Sequence, residues 1–125
     1  DARQILRKEV QLKSAIKQWG NIAGQVAGVM KGDYALIGRS LEDVIIEPVR
    51  SILIPGFAEV KQRCTEAGAL GGGISGSGPS IFMLNENRET AYTVETIMKD
   101  VYENLGIDYK TYVTTVNNSG VSIIQ

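Results

Sequence analysis

Gly68-Ala69-Leu70-Gly71-Gly72-Gly73-Ile74-Ser75-Gly76-Ser77-Gly78-Pro79-Ser80-Ile81-Phe82-Met83-Leu84 is the stretch on which the reading of the fold turns. Six of the eleven residues from 68 to 78 are glycine. Gly71, Gly73 and Gly76 formally satisfy the dinucleotide spacing G-x-G-x-x-G. That spacing carries meaning only where it opens a helix. Here it runs into Pro79 and then the strand-like run Ser80-Ile81-Phe82-Met83-Leu84. A Walker A loop fails as well, because no Gly-Lys-Ser/Thr follows. The segment therefore reads as strand, loop, strand, with 69–75 as a partner strand loosened by its glycines. Successive amides without Cβ atoms, flanked by the hydroxyls of Ser75 and Ser77, can form an anion-holding concavity. A hairpin with a glycine bulge and no ligand fits the same residues.

Upstream, apolar residues recur at Leu12, Ile16, Trp19, Ala23, Val26 and Met30, in alternating steps of four and three. That is one face of a long amphipathic helix. Trp19 lies on this face and reads as core. Gly20, Gly24 and Gly28 stand four apart beside it. A helical glycine costs up to ~1 kcal/mol relative to Ala. The stripe points either to close approach of another backbone or to glycines tolerated on a well-packed helix. Gly32-Asp33 breaks the pattern, and Asp33 is the expected N-cap of a second helix carrying Tyr34, Ile37, Leu41 and Val44. Pro48 should end regular structure there, with Ile46-Glu47 extended before it. A third helix is predicted from about Gly56, burying Phe57, Val60, Cys64 and Ala67, with Pro55 ahead of it and Gly68 as its stop.

Downstream, Asn87 should cap a helix with Ala91, Val94, Ile97, Val101 and Leu105 inside. Residues 110–116 are rich in Thr, Tyr and Val and predict a strand. Asn117-Asn118-Ser119-Gly120 is a turn, and 121–124 the returning strand. Helices covering one face of a mainly antiparallel sheet make an α+β layer fold.

The 125 residues make one domain's worth of chain. Thirteen basic and fourteen acidic side chains leave a net charge of −1, which argues against a general nucleic-acid binder. No apolar run approaches a membrane span. The chain has no histidine, which removes His general bases, His triads and His metal ligands. Cys64 is the lone cysteine, so neither an internal disulfide nor a cysteine-rich zinc site can form. With no leader pattern visible, a reducing, cytoplasmic setting is expected, and the sequon Asn117-Asn118-Ser119 then carries no meaning. The abrupt start at Asp1 suggests a fragment or processed chain.

Among the arginines, Arg50 stands out because it follows Glu47-Pro48-Val49. An arginine pinned in rigid chain there could clamp a carboxylate bidentately. A surface salt bridge is the plain alternative. The carboxylates are scattered, and no pair has the spacing of a catalytic dyad or metal site.

Two strings go beyond general physics. Val44-Ile45-Ile46-Glu47-Pro48-Val49-Arg50, followed by Leu53-Ile54-Pro55-Gly56-Phe57, and Gly73-Ile74-Ser75-Gly76-Ser77-Gly78-Pro79-Ser80 together resemble the carboxy-terminal half of the homoserine kinase family, in the GHMP small-molecule kinase superfamily. The second string resembles the superfamily's third motif. Ala2-Arg3 resembles a Lys-Ala-Arg stretch of the same family. The resemblance implies a ferredoxin-like GHMP kinase C-terminal domain over residues 1–125, entered by a strand that would precede Asp1 or be lost. It implies L-homoserine as acceptor, its carboxylate held by Arg3 and Arg50, with Gly76 as a backbone contact. Gly73, Ser75, Ser77 and Gly78 would shape the loop. ATP and Mg2+ would be bound mainly by an upstream half, because the superfamily's glycine- and serine-rich phosphate loop is nowhere in this sequence. No residue here has the marks of a general base. Removal of that upstream half should expose the apolar surface that packed on it, so an oligomer, a homodimer, is expected, with no kinase activity from these residues alone. Another GHMP kinase, acting on a mevalonate-like, sugar or cofactor-precursor alcohol, fits the third motif too. So does a non-catalytic ferredoxin-like binding module.

Overall fold

The computed structural model describes residues 4–124. Its chain order is α1 (Leu12–Lys31), α2 (Tyr34–Ser40), α3 (Glu47–Arg50), a 3-10 turn (Ser51–Leu53), α4 (Phe57–Glu66), β1 (Gly71–Ile74), β2 (Ile81–Leu84) and α5 (Arg88–Leu105). The architecture is α+β, as expected.

The core forms where α4 and α5 meet each other and the hairpin. Gly56, at φ +74°, turns the chain into α4, and Phe57, Val60 and Cys64 face inward at helical spacing. The Asn87 side chain accepts the Thr90 N–H at 3.0 Å and starts α5 as predicted. Val60, Cys64, Ala69, Val94 and Val101 are buried together, flanked by Ile81, Met83, Ile97, Met98 and Tyr102. Leu105, expected inside, is 45% exposed at the last turn of α5. β1 and β2 pair antiparallel, in the register Gly71↔Leu84 to Ile74↔Ile81.

α1 and α2 form a second unit. Asp33 caps α2 by accepting the Leu36 N–H at 2.9 Å. The glycine stripe is a close-approach surface at two of its three members. A Cβ on Gly28 would sit 2.9 Å from Ile37 Cγ1 and 3.0 Å from the Ile37 nitrogen, and one on Gly24 would collide with Ser40 Oγ. Gly20 faces open space. α2 in turn presses Gly38 onto the chain entering β1, where an added Cβ would lie 2.8 Å from the Leu70 carbonyl.

Four expectations are corrected. Trp19 is not core: it is 62% exposed, as are Ile16 at 56% and Met30 at 83%, because α1 packs through its glycines rather than its apolar stripe. The second helix stops at Ser40, short of Leu41 and Val44. Pro48 does not end regular structure but sits in the first turn of α3, where its missing N–H has no intrahelical partner to lose. The second hairpin does not form a ladder. Its turn exists, with Asn117 Oδ1 accepting the Ser119 N–H at 2.9 Å and Gly120 at φ +70°. Val121, Ile123 and Ile124 are 90–100% exposed, however. A two-stranded ribbon with nothing beneath it is marginal in water. Residues 109–111 are tied to α5 instead, Tyr109 Oη donating to Glu103 and Thr111 Oγ1 to Glu95, each at 2.6 Å.

Candidate functional site

The site is built from the 42–46 loop outward. Gln18 of α1 accepts the Val44 N–H at 3.0 Å, and Asn21 donates to the Glu42 carbonyl at 2.8 Å. Asp43 Oδ1 accepts the N–H groups of Ile45 and Ile46, both at 2.8 Å. Those bonds make an aspartate-centred turn that leads the chain into α3. Glu47 then stands at the first position of α3, its side chain only 14% exposed, and pairs with Lys61 of α4. Its other oxygen lies where a Cβ on Gly73 would come within 3.3 Å. A larger residue at 73 would push on this carboxylate.

One turn further, Arg50 Nη1 donates to the Gly76 carbonyl at 3.0 Å. Arg50 Nε is buried and meets no acceptor among the described residues. A buried guanidinium N–H without a partner is costly and calls for one. The loop on the other side is pinned at its base, where Ser75 N–H meets the Ser80 carbonyl at 2.8 Å and Gly78 N–H meets the Ser75 carbonyl at 3.1 Å. Gly76, at φ +61°, and Gly78, at φ +78°, supply left-handed turns that a side chain would strain. The amides of Gly76 and Ser77 meet no acceptor among the described residues. The loop thus offers bare backbone donors beside a guanidinium, a surface suited to an anionic group. Beside it opens a cleft of about 300 Å3, lined by Asp43, Glu47, Gly73, Gly76 and, from α1, Gln25, whose Oε1 is also buried without a partner.

The structure therefore brings Arg50 and Gly76 into contact and gathers Gly73, Ser75, Ser77 and Gly78 around them. Ser75 is exposed at the base of the loop and Ser77 at its tip. Arg3 lies outside the described residues. Sequence reasoning missed Glu47, Lys61, Asp43 and Gln25. Asp43 stands four residues before α3, and an aspartate's tendency to bond amides two and three residues on is the signal that could have found it. Glu47 and Lys61 stand fourteen apart across a 3-10 turn, and no periodicity links them.

Residues 25–104 match the family described as GHMP kinases C terminal. The chain belongs to that family. It is 52% identical over 104 residues to the homoserine kinase of Chloroherpeton thalassium, covering 83% of this chain and 33% of that one. It is 43% identical over 126 residues to that of Chlorobaculum tepidum, covering 99% and 39%. The crystal structure of homoserine kinase from Cytophaga hutchinsonii superposes with a TM-score of 0.91 at 51% identity, covering 94% of this chain and 37% of that one. The chain spans between a third and two-fifths of the length of these relatives. Among the described residues no group of three or more His, Cys, Asp or Glu is placed to hold a metal ion. No helix among them is long and apolar enough to cross a membrane.

Proposed function

We propose that this chain is the acceptor-binding, carboxy-terminal domain of a homoserine kinase. An upstream half would hold ATP and Mg2+, in a cytoplasmic enzyme one step on the way to threonine. In that reaction the homoserine side-chain hydroxyl attacks the γ-phosphorus, the bridging P–O bond to ADP breaks, and the hydroxyl proton is released. Such transfers depend chiefly on positioning and charge neutralisation. The observation that carries the reading is the Arg50–Gly76 contact. It locks a guanidinium with a buried unpaired N–H beside a loop with two unpaired amides. A carboxylate seated there would take charge-assisted donors from both sides. Glu47 and Lys61 support α3 from behind. Arg3 is proposed as the second carboxylate holder, and the exposed stripe of α1 supports a homodimer.

The test is the full-length enzyme with Arg50→Ala. Hydrogen bonds to a charged group contribute roughly 1.5–3 kcal/mol, so the homoserine KM should rise at least about tenfold, while the ATP KM stays within about twofold. An unchanged homoserine KM refutes the role of Arg50. A panel of mevalonate-like, sugar and amino-acid alcohols tests the acceptor, and only an amino-acid acceptor agrees with the proposal.

A further inference from the structure

α3 carries both the arginine of the site and a carboxylate able to compete for it. Glu47 and Arg50 are the first and last residues of that four-residue helix. Side chains three apart are neighbours on one helix face, about 5–6 Å apart at Cβ. An arginine takes any carboxylate through the same paired N–H donors. A carboxylate fixed on the same helix acts at an effective concentration on the order of millimolar or higher. Glu47 is thus equipped to occupy the seat that an acceptor's carboxylate needs.

It does not occupy that seat. Arg50 Nη1 donates to the Gly76 carbonyl at 3.0 Å, and the buried Nε meets no acceptor among the described residues. Glu47 Oε1 takes the Lys61 ammonium instead. Its Oε2 lies over Gly73, where an added Cβ would come within 3.3 Å. Two features therefore hold Glu47 off Arg50: a cation of its own, and a residue without a side chain that leaves the carboxylate room. The core fixes that cation in turn. Lys61 sits in the second turn of α4, next to Val60 at 1% exposure. Its Nζ lies 5.8 Å from the centre of the Phe57 ring, and Phe57 is buried. A cation at that range is attracted to an aromatic face. The Glu47 side chain is only 14% exposed. Without Lys61 a nearly buried carboxylate loses its counter-charge, which is strongly unfavourable. The cation on its own helix is Arg50.

We propose that Lys61 sequesters Glu47 and thereby keeps the Arg50 guanidinium open to the acceptor's carboxylate. Lys61 is then a positioning residue: it touches no substrate and acts through Glu47. The inference rests on the proposed role of Arg50 as carboxylate holder. It makes the Glu47–Lys61 pair a guard as well as a prop, and the two roles differ in sign. If the pair merely props α3, removing the second charge after the first repairs nothing. If it guards Arg50, removing Glu47 as well undoes the damage of losing Lys61.

Steady-state kinetics on the full-length enzyme read that sign. Lys61→Met should raise the homoserine KM about tenfold or more, with the ATP KM within about twofold. Adding Glu47→Gln to Lys61→Met should bring the homoserine KM back to within about threefold of the unmodified enzyme. Lys61→Arg, which keeps the cation, should stay within the same range. An unchanged homoserine KM in Lys61→Met, or a rise that Glu47→Gln fails to reverse, overturns the proposal. A crystal structure of Lys61→Met gives a second readout. A Glu47 oxygen should lie about 2.7–2.9 Å from an Arg50 nitrogen, and a Glu47 still seated over Gly73 overturns the proposal. If Lys61→Met does not fold, Lys61→Gln, neutral and of similar length, takes its place with the same outcomes. Arg50→Ala separates the two readings. A homoserine KM raised by Arg50→Ala and not by Lys61→Met keeps the carboxylate holder and rejects the guard. Glu47 on Arg50 in the crystal, with the homoserine KM unchanged in both variants, rejects the holder itself.

Discussion

α1 and α5 are both long amphipathic helices, and they meet opposite fates. α5 buries Val94 to 2% and Val101 to 1% exposure against α4 and the hairpin. α1 turns its glycines to α2 and leaves Trp19 at 62% and Met30 at 83% exposed. An apolar stripe states that a helix has something to bury; it does not name the partner. α5 finds its partners within the chain. α1 uses its small residues for the local contact, because bare backbone allows a closer approach than a row of large side chains, and its apolar stripe is left without cover.

The contrast can be broken most sharply at Cys64. Burial pushes its thiol up to about 11 from an ordinary 9.0, against a smaller opposing pull from Arg63. The folded state thus favours the protonated thiol. Its contribution to stability is fully present below the unfolded value and fades as pH climbs through about 11. At pH 8 the thiolate fraction falls about a hundredfold relative to the unfolded chain, and alkylation should slow by at least that factor. Labelling at the unfolded rate would show that the α4–α5 core is open. Next, Val101→Ala should lower stability by about 2 kcal/mol in urea melts, whereas Trp19→Ser on the 125-residue chain should stay within about 0.5 kcal/mol. Equal losses would erase the difference between the helices. Within α1 the glycines should separate in sign. Gly28→Ala should cost about 1–2 kcal/mol through its clash with Ile37, while Gly20→Ala, with open space around it, should raise stability by up to ~1 kcal/mol. The same sign at both positions would refute the packing of α1 on α2.

Local signals were legible wherever neighbouring residues settle the outcome. Asp33 and Asn87 cap the helices they were expected to cap, because an N-cap needs only its own side chain and amides two or three residues on. The hairpin around the glycine-rich loop formed because Pro79 and the left-handed glycines leave that stretch few other conformations. Arg50 was singled out for a rigid, non-helical setting, which the structure replaces with α3. The contact with Gly76, the Glu47–Lys61 pair and the buried Nε could not be read in advance, because each joins residues brought together by the packing of α3, α4 and the loop. The strand expected at 110–116 failed for the converse reason. A strand is a relation between two segments, and composition reports on one.

The long helices, their caps, the turns and the family resemblance therefore follow from the order of residues, since each depends on interactions within a few positions or on a long motif. Which face of α1 is covered, where α3 begins, and that Arg50 meets Gly76 are products of the folded chain. Those outcomes compare the free energies of alternative packings, and such differences arise only between segments distant in sequence.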